Sequence, residues 1–176
     1  NSSYGHYLIS NPLHVDFYSE HNKTKYDTIS YTKIELAQKI LELQNNAENQ
    51  SDNTKAKTLF LLANVYFNMT QYGNSWMMKR SWWTYNNYNT IYFDNDEYNQ
   101  CLSAKEHYMK AYEATDSPKF KALCLRMAGR CEKYKMYFEQ DYYDLDFENH
   151  EDYRAFMFQK NKFYRQLENE FPESYD

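Results

Sequence analysis

Between residues 76 and 98 the chain sets Trp76, Trp82, Trp83, Tyr85, Tyr88, Tyr92, Phe93 and Tyr98 within 23 positions. Rings this dense can stack on a sugar or anchor a partner protein, and they can equally fold back onto neighbouring helices. Other chemistries find little material. His6, His14, His21, His107 and His150 are scattered and make no His-Glu-x-x-His pattern, so no metal site is expected. Three Gly cannot supply a phosphate-cradling loop, and no Gly-x-Ser-x-Gly elbow exists. No cofactor is implied. Glu139, Asp141, Asp144, Asp146, Glu148, Glu151 and Asp152 form an acidic run, but it misses the Asp-x-Asp-x-Asp-Gly calcium spacing and reads as a solvated loop. Asn22-Lys23-Thr24 and Asn68-Met69-Thr70 fit the glycosylation pattern, as chance allows in an Asn-rich chain.

Charge and composition narrow the partners. Net charge is −5. Residues 71–138 carry ten basic and seven acidic side chains, a balance of +3, whereas residues 139–176 carry four and eleven, a balance of −7. A nucleic-acid partner is therefore not expected. No run approaches the roughly 18 apolar residues of a membrane span, so membrane association would run through a partner or a lipid anchor outside this segment. The chain starts without Met or a signal peptide and reads as a processed or trimmed piece of something longer. Three Cys are too few for a disulfide scaffold. Cys124 and Cys131, seven apart, share a helix face and read as core residues, with a disulfide from Cys101 to either left open.

The elements that must position these residues are helices. The 176 residues suffice for one medium domain with its own core. Three Gly and three Pro disfavour a turn-rich β sandwich. With 20 Tyr, much of the core must be aromatic, and its hydroxyls need partners. Residues 1–30 are irregular, with a turn at Asn11-Pro12, and Val15, Phe17 and Tyr18 are candidates to dock on the helices behind. A helix is predicted from Tyr31 to Asn46, capped by Thr32 with Glu35, its apolar face made by Ile34, Ala37, Ile40 and Leu41. A second runs from Lys55 to Gln71, facing inward through Leu59, Leu62, Ala63 and Tyr66, and Gly73 stops it. The ring-rich insertion spans about 73–97, with a turn among Asn86–Thr90 and a short β segment at Thr90–Phe93. Further helices are predicted over Asp96–Thr115, Pro118–Phe138 and Asp152–Phe171, with Pro172 closing the last and 173–176 a tail.

The helices carry an internal repeat. Aligning Ala63 with Ala128 puts Leu62 over Met127, Leu59 over Cys124 and Tyr66 over Cys131. A small residue lets the next helix approach, and larger ones a turn away fill the gap. Leu59, Leu62, Ala63 and Tyr66, then Ala104, Tyr108 and Ala111, then Pro118, resemble a tetratricopeptide repeat. The second copy matches less well: Ala128 is kept, Cys131 replaces the aromatic, and Tyr164, Leu167 and Pro172 stand at its end. The family repeat is about 34 residues, so the 65-residue step implies roughly 31 inserted residues, matching the ring-rich segment. The resemblance covers residues 31–172. It implies an all-α, right-handed stack of antiparallel helical hairpins, a tetratricopeptide-like solenoid with an aromatic insertion.

The resemblance also implies a concave face made by Lys57, Phe60, Asn64 and Phe67, opposite Ala122, Leu125 and Gly129, with Arg126 and Arg130 nearby. Members that clamp a terminal carboxylate carry Lys one turn before the Asn. Phe60 stands there, so a carboxylate clamp is not expected. Residues 61–74, with Tyr31-Thr32-Lys33 upstream, are similar to an uncharacterised family of cell-envelope proteins of Bacteroidetes, implying an exported chain of the periplasm or outer membrane, in the manner of a lipoprotein. That family tends to carry Cys and His near His14 and His21, and this chain has no Cys there. The expected function is a non-enzymatic protein-interaction or scaffold module. The alternative is a glycan-binding protein that uses the Trp-rich insertion.

Overall fold

The computed structural model describes residues 11–14, 29, 31–79, 95–139 and 150–174. Among them all regular structure is helical, with no strand. Helix α1, Lys33–Asn49, begins at Thr32, whose Oγ1 accepts from the Glu35 N–H at 3.4 Å. The Glu35 carboxylate in turn accepts from the Thr32 N–H at 2.8 Å, the reciprocal pair the sequence announced.

The inward face of α1 differs from the expected one. Leu36, Leu43 and Ala47 are buried and Ile40 is partly so, whereas Ala37 is exposed and Ile34 and Leu41 remain 73% and 60% exposed. Both stripes have helical period. At about 100° per residue, Ile34 lies almost opposite Leu36, and Leu41 almost opposite Leu43. The stripe through Leu36 meets Leu62 and Val65 of the next helix, and that contact decides the orientation.

Helix α2, Asp52–Asn68, starts and stops three residues before the predicted bounds. It is the central element. Leu62 and Val65 face α1, Ala63 and Phe67 join the main core, and Leu59 reaches a third cluster with Ala111 and Cys124. A four-residue turn, α3 (Trp76–Lys79), follows.

Two helices expected to be continuous are broken. Asp96–Thr115 is split into α4, Asn95–Gln100, and α5, Leu102–Glu113, by Cys101 in the left-handed region at φ 53°. The Glu97 carboxylate accepts from the Ser103 N–H at 2.8 and 3.1 Å, serving an amide the new helix leaves free. After α6, Pro118–Glu139, the last predicted helix is split into α7, His150–Lys160, and α8, Lys162–Glu170. Asn161 makes that break. Fully buried, it accepts the N–H groups of Phe163 and Tyr164 through Oδ1 and donates Nδ2 to the Gly129 carbonyl at 2.8 Å.

The main helix contacts are α1 on α2, α2 on α5, α5 on α6 and α6 on α8, and the short α4 packs on α6 rather than chiefly on α5. Ala63, Ala104, Ala111 and Ala128 are wholly buried, small side chains where helices meet. Cys101, Cys124 and Cys131 are free buried thiols, and no disulfide joins them. Burial pushes the Cys124 thiol up to about 12 and raises Cys131 strongly, so both are inert core groups. Among the described residues no helix is long and apolar enough to cross a membrane.

Candidate functional site

The side chains with the most specific work lie at the end of α2. Asn64 and Asn68, one turn apart, project from the same face of the helix. Beyond them the chain turns back. Gly73 sits so close to the Asn68 backbone that a Cβ there would come within 2.6 Å of the Asn68 carbonyl carbon and oxygen. Glycine is required by this approach and not by a left-handed φ. The Ser75 N–H donates to the Asn68 carbonyl at 2.8 Å, and Asn74 is thereby held beside Asn68.

The three amides converge on the irregular segment Asn11–His14. Asn64 Nδ2 donates to the Leu13 carbonyl at 2.8 Å. Asn68 Nδ2 spends both hydrogens, on the Pro12 and His14 carbonyls, each at 2.8 Å. Asn74 Nδ2 reaches the Asn11 carbonyl at 3.3 Å and the His14 carbonyl at 3.1 Å. Four consecutive main-chain carbonyls are thus held by three side-chain amides.

The amide orientations are set from behind. The Tyr108 hydroxyl donates to Asn64 Oδ1 at 2.7 Å, which turns the Asn64 NH₂ toward Leu13. Tyr108 is fully buried, and burial raises its hydroxyl well above the ordinary value, so it stays a donor. The Asn74 N–H donates to Asn68 Oδ1 at 3.4 Å and fixes that amide likewise. Within the segment, Asn11 Oδ1 accepts from the Leu13 N–H at 3.1 Å, closing a local turn. Pro12 is wholly buried, and Leu13 packs on the cluster of Leu36, Leu43, Leu62, Val65 and Met78.

Of the residues expected on a concave face, Lys57 and Arg126 are exposed, whereas Asn64, Phe67, Ala122, Leu125 and Gly129 are buried. Phe67 is 1% exposed and lies under the Arg130 guanidinium, 4.9 Å from its ring centre. Phe60 is half-buried, edge-on to Tyr108 at 5.1 Å and tilted against Phe120 at 5.2 Å. Asn64 is buried in the clamp, Arg126 is exposed, and Arg130 is half-buried. Trp76 is half-buried at the start of α3. Trp82, Trp83, Tyr85, Tyr88 and Tyr92 lie outside the described residues, as do Val15, Phe17, Tyr18, the 86–93 turn and most of the acidic run. Asn68, in the second glycosylation pattern, is 1% exposed with both amide hydrogens engaged, so the folded chain cannot present it for modification.

Sequence reasoning missed Asn68, Asn74 and the docked segment. The available signal was a pair of Asn one turn apart on an apolar helix, where Asn is a poor choice unless its side chain has a partner. Elsewhere a groove of about 1010 Å³ lies over α2, lined by Gln44, Glu48, Lys55, His107, Lys110 and Glu113. Its charges are mixed, and among the described residues no three His, Cys, Asp or Glu groups gather as metal ligands do. Comparison with protein-family models, with curated proteins and with solved structures finds no match.

Proposed function

We propose that this chain is a non-enzymatic protein-interaction module, a tetratricopeptide-like stack of antiparallel hairpins that holds polypeptide main chain through the amides of Asn64, Asn68 and Asn74. One observation carries the reading: three asparagines hold four successive carbonyls of an irregular segment. Side-chain amides that address only main-chain oxygens recognise a chain by its path, with side-chain pockets adding selectivity. The order of packing along the helices and the buried alanines at their contacts support the hairpin stack. The partner is another protein. On the resemblance of residues 61–74, it belongs to the cell envelope.

The test is selection of peptides from a displayed random library on the immobilised full chain, repeated with Asn68→Ala. The reading predicts enriched peptides whose capture falls at least about tenfold on the variant, as losing about 1.4 kcal/mol or more requires. No enrichment over a blank surface overturns it.

A further inference from the structure

We propose that the asparagine clamp takes from a partner protein a short uncharged turn of the type Asn-Pro-aliphatic, and that residues 11–14 are its resident occupant, which the partner's turn displaces. The inference rests on the interaction reading above and names the ligand of the same site.

The clamp's demands can be read position by position. All five amide bonds go to carbonyl oxygens, so any chain with the same path offers the same acceptors. The first residue must close the turn from within, as Asn11 Oδ1 does by accepting the Leu13 N–H, and its burial calls for the neutral amide. The second is wholly buried. Proline suits it because it has no N–H to leave unsatisfied in the interior, and its fixed φ favours the turn. The third packs against Leu36, Leu43, Leu62, Val65 and Met78, which calls for an aliphatic side chain. The fourth, His14, is exposed and contributes its carbonyl to the clamp, so its side chain is free to vary. A charge at the second or third position would be desolvated in an apolar setting and is excluded.

Covalent attachment explains why this site would be closed at rest. A tethered occupant faces its site at an effective concentration of order millimolar, so a free peptide must exceed that before it competes. A partner therefore gains access when it offers a better-fitting turn or additional contacts.

The experiment uses the full chain, unaltered and with Leu13→Ser to weaken the resident segment, and a labelled hexapeptide Ser-Asn-Pro-Leu-His-Val copied from residues 10–15. Fluorescence anisotropy should show saturable binding at least about tenfold tighter to Leu13→Ser than to the unaltered chain. Binding should vanish in Leu13→Ser/Asn68→Ala, and the peptide with Asp in place of Leu should fail to compete. Absence of saturable binding to a folded Leu13→Ser chain overturns the proposal, as does equal binding to the double variant. So does a concentration-dependent dimer of the unaltered chain that the hexapeptide dissolves, since a second copy would then be the occupant. Should Leu13→Ser not fold, hydrogen exchange of the Leu13 amide in the unaltered chain decides. Millimolar hexapeptide should accelerate it by releasing the resident turn, and an unchanged rate overturns the proposal. Displayed peptides that depend on Asn68 but lack the Pro-aliphatic pair would overturn this inference and leave the interaction reading standing.

Discussion

Replacing Asn68 by alanine removes more than its small volume suggests. Two hydrogen bonds of 2.8 Å disappear, to the Pro12 and His14 carbonyls, together with the Oδ1 acceptor for the Asn74 N–H. His14 keeps its bond from Asn74, so its loss is the ordinary net value of about 1 kcal/mol. The Pro12 carbonyl loses its Asn68 donor beside a wholly buried ring, which adds about 1–3 kcal/mol. The sum is about 2–4 kcal/mol, and at about 2–4 °C per kcal/mol for a domain of this size, Tm should fall by about 4–16 °C. Asn49→Ala is the control. It also removes an Asn side-chain bond of 2.8 Å, to the Asn45 carbonyl, but on an exposed surface, and should change stability by no more than about 0.5 kcal/mol. Urea and thermal unfolding followed by circular dichroism measure both. If Asn68→Ala falls within about 0.5 kcal/mol of Asn49→Ala, the clamp does not hold the segment as argued.

Leu43→Ala should destabilise the chain by about 2–5 kcal/mol and Leu41→Ala by no more than about 0.5 kcal/mol, measured by denaturant unfolding, because only Leu43 enters the core. Gly73→Ala should lower stability by about 1–3 kcal/mol or more, and more than Gly129→Ala, in the same assay. The new methyl meets the Asn68 backbone in one case and the movable Tyr164 ring in the other. A thiol reagent at pH 8 should leave Cys124 and Cys131 unmodified in the native chain and react with both in denaturant, since burial raises both thiols. The Glu35 carboxyl is held below its ordinary 4.5 by the Thr32 backbone N–H first and the Thr32 hydroxyl second. Its contribution is therefore complete above 4.5 and lost as pH falls through the lower folded value. Protection of the first-turn amides of α1 against hydrogen exchange, taken relative to the intrinsic rate at each pH, should fall on acidification through that range, and Glu35→Gln should blunt the change.

Local rules made much of the helical frame legible. Thr32 and Glu35 lie three residues apart and satisfy each other, so the start of α1 follows from sequence alone. Ala63, Ala104, Ala111 and Ala128 are small where helices must meet, and all four are wholly buried. What escaped were choices made by distant partners. Ile34 and Leu36 fit helical period equally well, and α2 decides between them. Cys101 breaks a helix because Glu97 can serve the amide beyond it, and Asn161 because Gly129 leaves its carbonyl within reach. The clamp joins residues more than 50 positions apart, which no count of spacing along one helix can register. Its helical half was visible as an Asn pair on one face, but its occupant was not.

The side-chain amides themselves give the most direct test of a main-chain clamp. In a ¹⁵N-labelled full chain, the Nδ2 signals of Asn64, Asn68 and Asn74 should exchange with solvent far more slowly than that of exposed Asn49. On titration with Ser-Asn-Pro-Leu-His-Val well past the millimolar effective concentration of the resident segment they should shift together and saturably while Asn49 stays fixed. Three amides that exchange as fast as Asn49, or that stay unmoved while signals elsewhere respond to the peptide, would contradict the account.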